Sequence, residues 1–197
     1  MAFVRPVCLL FARLCLLHGA DLPSIEVWIK DDVSTRSILE LHTSLAGALF
    51  DEIGISIRWH IVEPGDTPPE VAPFTVHVDR FAPDDCTPDA LASTYLPGAA
   101  ITIFADRIHR RIESAHPSVR RKMLAYVIAH ELAHAIQGIA RHSEDGIMKA
   151  SWTNVDFAAM LFDEFKFSRF DAILIRQRAT LPRAQRQPPR PPPSGSE

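Results

Sequence analysis

The sequence predicts an α+β domain in which about four short strands accompany one long buried helix and a C-terminal helix. Two observations predict this class. Strand-like alternation of apolar and polar residues recurs in the first half of the chain, and residues 117–138 have helical spacing with apolar side chains nearly all round. At 197 residues, 47% of them hydrophobic, the chain has enough apolar material for one globular core.

The predicted elements follow in a definite order. A strand at 25–29 precedes a helix at 35–50, which Gly54 ends. Further strands follow at 55–61, 74–78 and 100–104, separated by loops rich in proline and glycine. Pro117 and Ser118 begin the long helix and Gly138 ends it, and apolar residues from 155 to 165 indicate a closing helix.

The long helix carries the most informative motif of the chain, His130-Glu131-Leu132-Ala133-His134. Two histidines four residues apart lie on one face of a helix, so their ring nitrogens can converge on one tetrahedral ion. Glu131 is free of the metal and can take a proton from a water molecule beside it. Because the helix is apolar around them, three unpaired polar side chains would be costly there. The motif therefore predicts a zinc site for metal-assisted hydrolysis, with His130 and His134 as ligands and Glu131 as the general base.

The motif and the residues after it, HELAHAIQGIARHSEDGIM, together resemble the signature of the metzincin zinc peptidases. That signature is His-Glu-x-x-His-x-x-Gly-x-x-His followed by a methionine-containing turn. In this chain each of the two gaps around Gly138 is one residue longer than in the family pattern. The segment 142–148 is also similar to the matrixin arrangement of a histidine, a short acidic loop and a methionine.

This resemblance implies a zincin or metzincin-like fold, with a twisted mixed sheet above a cleft and a helical lower part. It also implies that His130, His134 and His142 bind Zn²⁺, that Glu131 is the base and that Met148 forms an apolar floor beneath the metal. If the family topology holds, the strand at 100–104 is the cleft-side edge, and an extended peptide would bind there by strand addition. The function expected is zinc-dependent hydrolysis of peptide bonds, and the expected partner is a peptide or protein substrate.

Several alternatives stay open at this point. In a gluzincin-like arrangement the third ligand would be acidic, and the candidates are Glu144, Asp145, Asp156 and Glu164. Met148 could equally be ordinary core filler. Trp152 stands where some metzincins carry a tyrosine, so a tyrosine ligand is not expected. A non-catalytic zinc- or peptide-binding module is the alternative to a peptidase, although an intact Glu131 argues against it.

The ends of the chain differ in composition from residues 21–180. Residues 1–20 resemble a secretory signal peptide, with Arg5, an apolar run at 7–17 and a small-residue exit, although Arg13 interrupts the run. An uncleaved anchor or a mis-assigned start is the alternative, and no other segment could span a membrane. Residues 181–197 are rich in proline and arginine and are predicted to form a disordered tail. The expected location is therefore secreted or periplasmic.

Charge and cysteine content limit the partners. Residues 21–180 contain sixteen Lys and Arg against twenty-three Asp and Glu, so nucleic acid is a poor partner. Cleavage of the signal would remove Cys8 and Cys15 and leave Cys86 unpaired, so the mature chain, expected to be a monomer, would have no internal disulfide. The basic cluster at 107–122 is predicted to be a solvent-exposed surface, and the alternative is that it gives the protein a preference for acidic substrates.

Overall fold

A computed structural model describes residues 23–181 except 64, 71 and 85. The elements in chain order are β1 (Ser24–Asp31), α1 (Arg36–Asp51), β2 (Ser56–Ile61), β3 (Thr75–Asp79), β4 (Ala92–Tyr95), β5 (Ala100–Phe104), α2 (Ala105–Ile112), α3 (Pro117–Gln137), α4 (Asn154–Leu161) and α5 (Arg169–Ala179). The expected signal peptide at 1–20 and the expected tail at 182–197 lie outside the described residues. None of the helices in the described part of the chain combines the length and apolarity needed to cross a bilayer.

The strands form one mixed sheet in the order β2-β1-β3-β5-β4. β1 is parallel to β2 and β3, and β3 is parallel to β5. β4 alone runs antiparallel, with Tyr95 opposite Ala100. Parallel neighbours need a crossover connection, which α1 supplies between β1 and β2. The predicted combination of a mixed sheet, a long central helix and a C-terminal helix is confirmed, with five strands in place of about four.

The prediction that residues 100–104 form the edge strand is wrong. β5 lies inside the sheet between β3 and β4, and β4 is the strand at the end of the sheet. The sequence predicts a loop at 92–95, where the structure has strand β4, which is only four residues long and leads directly into a 3₁₀ turn at Leu96–Gly98. That turn ends at Ala99, whose φ of 50° is left-handed, and the chain then reverses into β5.

The long helix α3 is the centre of the core. It begins at Pro117 and ends at Gly138, as predicted, and Gly138 has a φ of 69° with its N–H donating to the His134 carbonyl at 2.8 Å. From Met123 to Gln137 every residue except Glu131 is buried. α3 contacts α1, α2, α4 and α5 as well as β4 and β5, which explains why its apolar residues surround it.

The helices around α3 differ from the prediction in number. α2 follows β5 without a linker, and two helices replace the single closing helix predicted at 155–165. α4 begins at a capping box between Thr153 and Asp156 and stops at Leu161, before Asp163 adopts a φ of 59°. Ser168 then accepts a hydrogen bond from the Asp171 N–H and starts α5.

Candidate metal centre

His130, His134 and His142 come together in the folded chain. One ring nitrogen of each lies within 4.8 Å of those of the other two. The ring centroids are 4.7 Å apart for His130 and His134, 5.4 Å for His130 and His142, and 4.9 Å for His134 and His142. His130 and His134 are buried on successive turns of α3, while His142 is exposed in the loop after Gly138. This convergence matches the three-histidine set predicted from the sequence.

Main-chain carbonyls orient the two buried rings. The Nδ1 atom of His130 lies 2.7 Å from the Ile147 carbonyl oxygen, and Nδ1 of His134 lies 3.1 Å from that of Ile139. Because a carbonyl oxygen only accepts, each Nδ1 carries the proton and each Nε2 carries a lone pair. The two Nε2 atoms face one another at 3.0 Å, a repulsive arrangement unless a cation lies between them. Two nitrogens bound to a tetrahedral zinc stand about 3.3 Å apart, so the donor set fits this ion.

Burial also keeps both rings in the protonation state that metal binding requires. Desolvation lowers the pKa of His130 to about 4, partly opposed by the Ile147 carbonyl. Desolvation and the neighbouring His130 ring lower the pKa of His134 to about 4. Both rings are therefore neutral at pH 7, as a zinc ligand must be.

The loop that carries His142 is fixed on both sides of this residue by one carboxylate. Ser143 Oγ donates to Asp171 at 2.7 and 2.8 Å, and the Arg141 guanidinium forms an ion pair with the same group. Ser168 Oγ adds a third donor at 2.7 Å. Asp171 lies on α5 and is fully buried, with 0% of its surface exposed. Sequence reasoning missed this residue, since Ser168-x-x-Asp171 indicates a helix start and not a contact with residues thirty positions earlier.

Glu131 is not part of the group formed by the three ring nitrogens, and it lines the adjoining cavity. Its Oε2 accepts a hydrogen bond of 2.5 Å from Thr94 Oγ1 on β4. Burial raises the pKa of the Glu131 carboxyl, while the Thr94 hydroxyl and the histidines lower it. Thr94 was not predicted as a site residue, because its strand was not recognised.

The turn with the methionine packs directly behind His130. The Ile147 carbonyl that accepts from His130 also accepts from Trp152 Nε1 at 3.1 Å, and the Trp152 ring meets the His130 ring edge-on at 5.8 Å. Met148 is fully buried. Gly146 has a φ of 69°, which permits the turn. The role of Met148 as a floor beneath a metal stays a prediction.

The acidic candidates for a third ligand do not join the histidines. The group of potential metal ligands that the described residues form at this site contains His142 and no carboxylate. Glu144, Asp145 and Glu164 are exposed, and the Asp156 carboxylate accepts from Lys149 at 2.6 Å and from Thr153. The gluzincin-like alternative therefore has no support among the described residues.

A cavity of about 740 Å³ opens beside the histidines. β4 and the loop before it form one wall, α2 a second, and the segment 149–152 with Phe157 a third. Its size lies in the range of ligand-binding clefts. The residues that line it include Ala92, Ser93, Thr94, Arg107, Arg110, Arg111, Glu131, Lys149 and Trp152.

The mixed sheet and the long helix with its histidine pair agree with the zincin-like fold that the sequence resemblance implies. No protein-family model matches the chain, and no curated protein matches it either. Among solved structures, the chain is similar to archaemetzincin from Methanopyrus kandleri, with a TM-score of 0.55 and 11% identity over 83% of this chain and 98% of that one. It is also similar to archaemetzincin from Archaeoglobus fulgidus in complex with malonate, with a TM-score of 0.47 and 14% identity over 76% and 99% of the two chains. At such identities the first similarity shows the fold alone.

Proposed function

We propose that this protein is a zinc-dependent metalloendopeptidase. The observation that carries the proposal is the placing of three histidine nitrogens and one carboxylate, Glu131, at the same cavity. The similarity of the fold to that of the archaemetzincin from Methanopyrus kandleri supports it, because that protein is named as a metzincin. The expected substrate is a peptide or protein, which the enzyme meets outside the cytoplasm if residues 1–20 act as an export signal.

His130, His134 and His142 would hold the zinc. Zinc in such a site polarises the carbonyl of the scissile bond and lowers the pKa of a water molecule. Three protein ligands leave one position open for that chemistry. The hydrogen bonds from Nδ1 of His130 and His134 to main-chain carbonyls keep Nε2 of both rings directed at the ion.

Glu131 would act as the general base and then as the general acid. Its carboxylate accepts a proton from the attacking water and returns it to the leaving amine. Thr94 holds one carboxylate oxygen through the bond to Oε2, which fixes the side-chain orientation. The strand that supplies this contact also lines the cavity.

The substrate backbone would bind along β4. This strand ends the sheet, so one row of its N–H and C=O groups is not paired with another strand among the described residues. Such an edge can accept an extended peptide as an additional strand. Strand addition, expected from the sequence at residues 100–104, is therefore proposed for residues 92–95.

A peptide library read by mass spectrometry tests the proposed function. Zinc-loaded protein should cut peptides, whereas protein treated with chelator should not. Glu131→Gln should retain stoichiometric zinc and lose at least about 10²-fold in rate, because it removes the base and leaves the ligands. Glu144→Gln, which changes an exposed carboxylate two residues after His142, is the matched control and should cut like the wild type.

Two outcomes would contradict the proposal. A Glu131→Gln rate within a few-fold of the wild-type rate would exclude Glu131 as the base. Absence of any cleavage by folded, zinc-loaded protein would instead favour a non-catalytic zinc- or peptide-binding module.

A further inference from the structure

One wall of the cavity is basic although the domain as a whole is acidic. Arg107, Arg110 and Arg111 lie at positions i, i+3 and i+4 of α2, and all three line the cavity together with Lys149. The buried residues Ile108 and Ile112 fix the opposite face of α2 against the core. The sign of this wall is therefore opposite to that of residues 21–180, with their sixteen basic and twenty-three acidic residues.

Two of these four cationic side chains form ion pairs with carboxylates, and the other two do not. Arg110 forms an ion pair with Asp106 at 2.7 Å, and Lys149 forms one with Asp156 at 2.6 Å. Arg107 and Arg111 have no carboxylate within 4 Å among the described residues. Two guanidinium groups at the cavity thus form no ion pair in the part of the chain that the structure describes, although Asp106 interacts electrostatically with Arg107 and Asp89 also lines the cavity.

Both of these guanidinium groups are nevertheless held in place. Arg107 Nη1 donates to the Ala90 carbonyl at 2.9 Å and to the Thr87 carbonyl, and its guanidinium lies 5.2 Å from the centroid of the Phe104 ring. Carbonyl groups and aromatic rings orient a guanidinium without cancelling its charge. A group that is already ordered loses less entropy when it binds a ligand.

Arg111 is held in a similar way and is close to the metal centre. Its Nη2 donates to the Trp152 carbonyl at 2.6 Å, and its guanidinium lies 4.9 Å from the centroid of the Phe157 ring. The Trp152 ring in turn meets the ring of His130 at 5.8 Å. Trp152 therefore lies between the Arg111 guanidinium and His130, one of the proposed ligands.

We propose that Arg107 and Arg111 form an anion subsite that binds a carboxylate of the substrate. This proposal rests on the proposed peptidase function and adds the substrate class to it. The planar guanidinium fork binds carboxylates through two parallel hydrogen bonds, and neither arginine uses all five of its donors in contacts with the described residues. The carboxylate comes either from an Asp or Glu side chain beside the scissile bond or from the C-terminus of a short peptide.

Matched peptides test the subsite and distinguish the two sources. One set exchanges Glu for Gln at each position around the scissile bond, and the other exchanges a C-terminal acid for an amide. Wild-type kcat/KM should fall about tenfold when the recognised carboxylate is removed. Arg107→Gln and Arg111→Gln should abolish this preference, whereas Arg110→Gln, whose charge is already paired with Asp106, should retain it.

Binding separates a failure of this proposal from a failure of the peptidase assignment. The affinity of the zinc-loaded Glu131→Gln protein for fluorescently labelled versions of the same peptides is measured by titration, which does not require hydrolysis. A carboxylate preference that disappears with Arg111→Gln supports the subsite, even if the wild type cuts no peptide. Equal affinity for both members of every pair, or a preference that survives both arginine variants, would overturn it.

Discussion

The two residues beside His142 both reach the buried carboxylate of Asp171. Arg141 forms an ion pair with it and Ser143 donates to both of its oxygens, so the loop cannot move at His142 without breaking a buried contact. Among the described residues, Asp171 forms no hydrogen bond with a histidine, although its charge acts on His130. It is therefore a positioning residue, and its effect on the site should pass mainly through His142.

Asp171→Asn should lower zinc affinity about 10- to 100-fold, the range found for groups that orient metal ligands. The amide keeps the shape of the side chain but replaces one accepting oxygen with an NH₂ donor. Ser143, Ser168 and Arg141 all donate to this group, so they lose an acceptor. Competition with a chromophoric chelator measures the affinity, with Asp145→Asn in the exposed loop as the control. In a His142→Ala background the substitution should have little further effect, and additive losses would refute the positioning role.

Thr94 offers a second test at the scale of one residue. Thr94→Val removes the hydroxyl that holds Glu131 Oε2 and keeps the side-chain volume, so kcat should fall up to about tenfold. Thr94→Ser restores the hydroxyl and should restore most of the rate. Zinc content should be unchanged in both variants, and a Thr94→Val enzyme with the wild-type kcat would show that the bond has no catalytic importance.

Among the elements, those with a long or strictly alternating pattern could be predicted from the sequence. α3 was found with both ends because Pro117 and Gly138 mark them, and the alternation in β1, β2 and β3 was sufficient. β4 was missed because four residues give too short a pattern. α2 was interpreted as a basic cluster because it presents only two buried residues among five charged or histidine side chains.

The turn before Met148 depends on contact with the segment that leads into α5. A Cβ atom on Gly146 would lie 2.5 Å from the Lys166 carbonyl oxygen, and the φ of 69° is itself unfavourable for other residues. Gly146→Ala should therefore lower the free energy of unfolding by about 2 kcal/mol or more. Gly65→Ala is the control, since Gly65 has a φ of 94° but open space around its Cβ position. Equal losses in the two variants, measured by urea denaturation, would show that the contact with Lys166 is unimportant.

At the scale of the whole molecule, the metal centre joins segments that are far apart in the sequence. The proposed ligands and base fall within thirteen residues and were found from their spacing. Their supports come from β4, thirty-seven residues before Glu131, and from α5, twenty-eight residues after Ser143. Those contacts depend on how the chain packs, and no local pattern in one sequence encodes them.

Burial of a histidine in the core gives the folded molecule a predictable response to acid. His42 lies on the buried face of α1 with 7% of its surface exposed, and its Nδ1 has no hydrogen-bond partner among the described residues. Desolvation lowers the pKa of His42 below the ordinary 6.5, although the Asp31 carboxylate opposes part of this shift. As pH falls below 6.5 the unfolded chain therefore binds a proton that the folded chain does not, and the free energy of unfolding decreases.

His42→Gln should reduce this pH dependence. Both proteins keep the same histidines at the metal centre, so the difference between their stability curves from pH 7.5 to 5 reports on His42, and superimposable slopes would contradict the prediction.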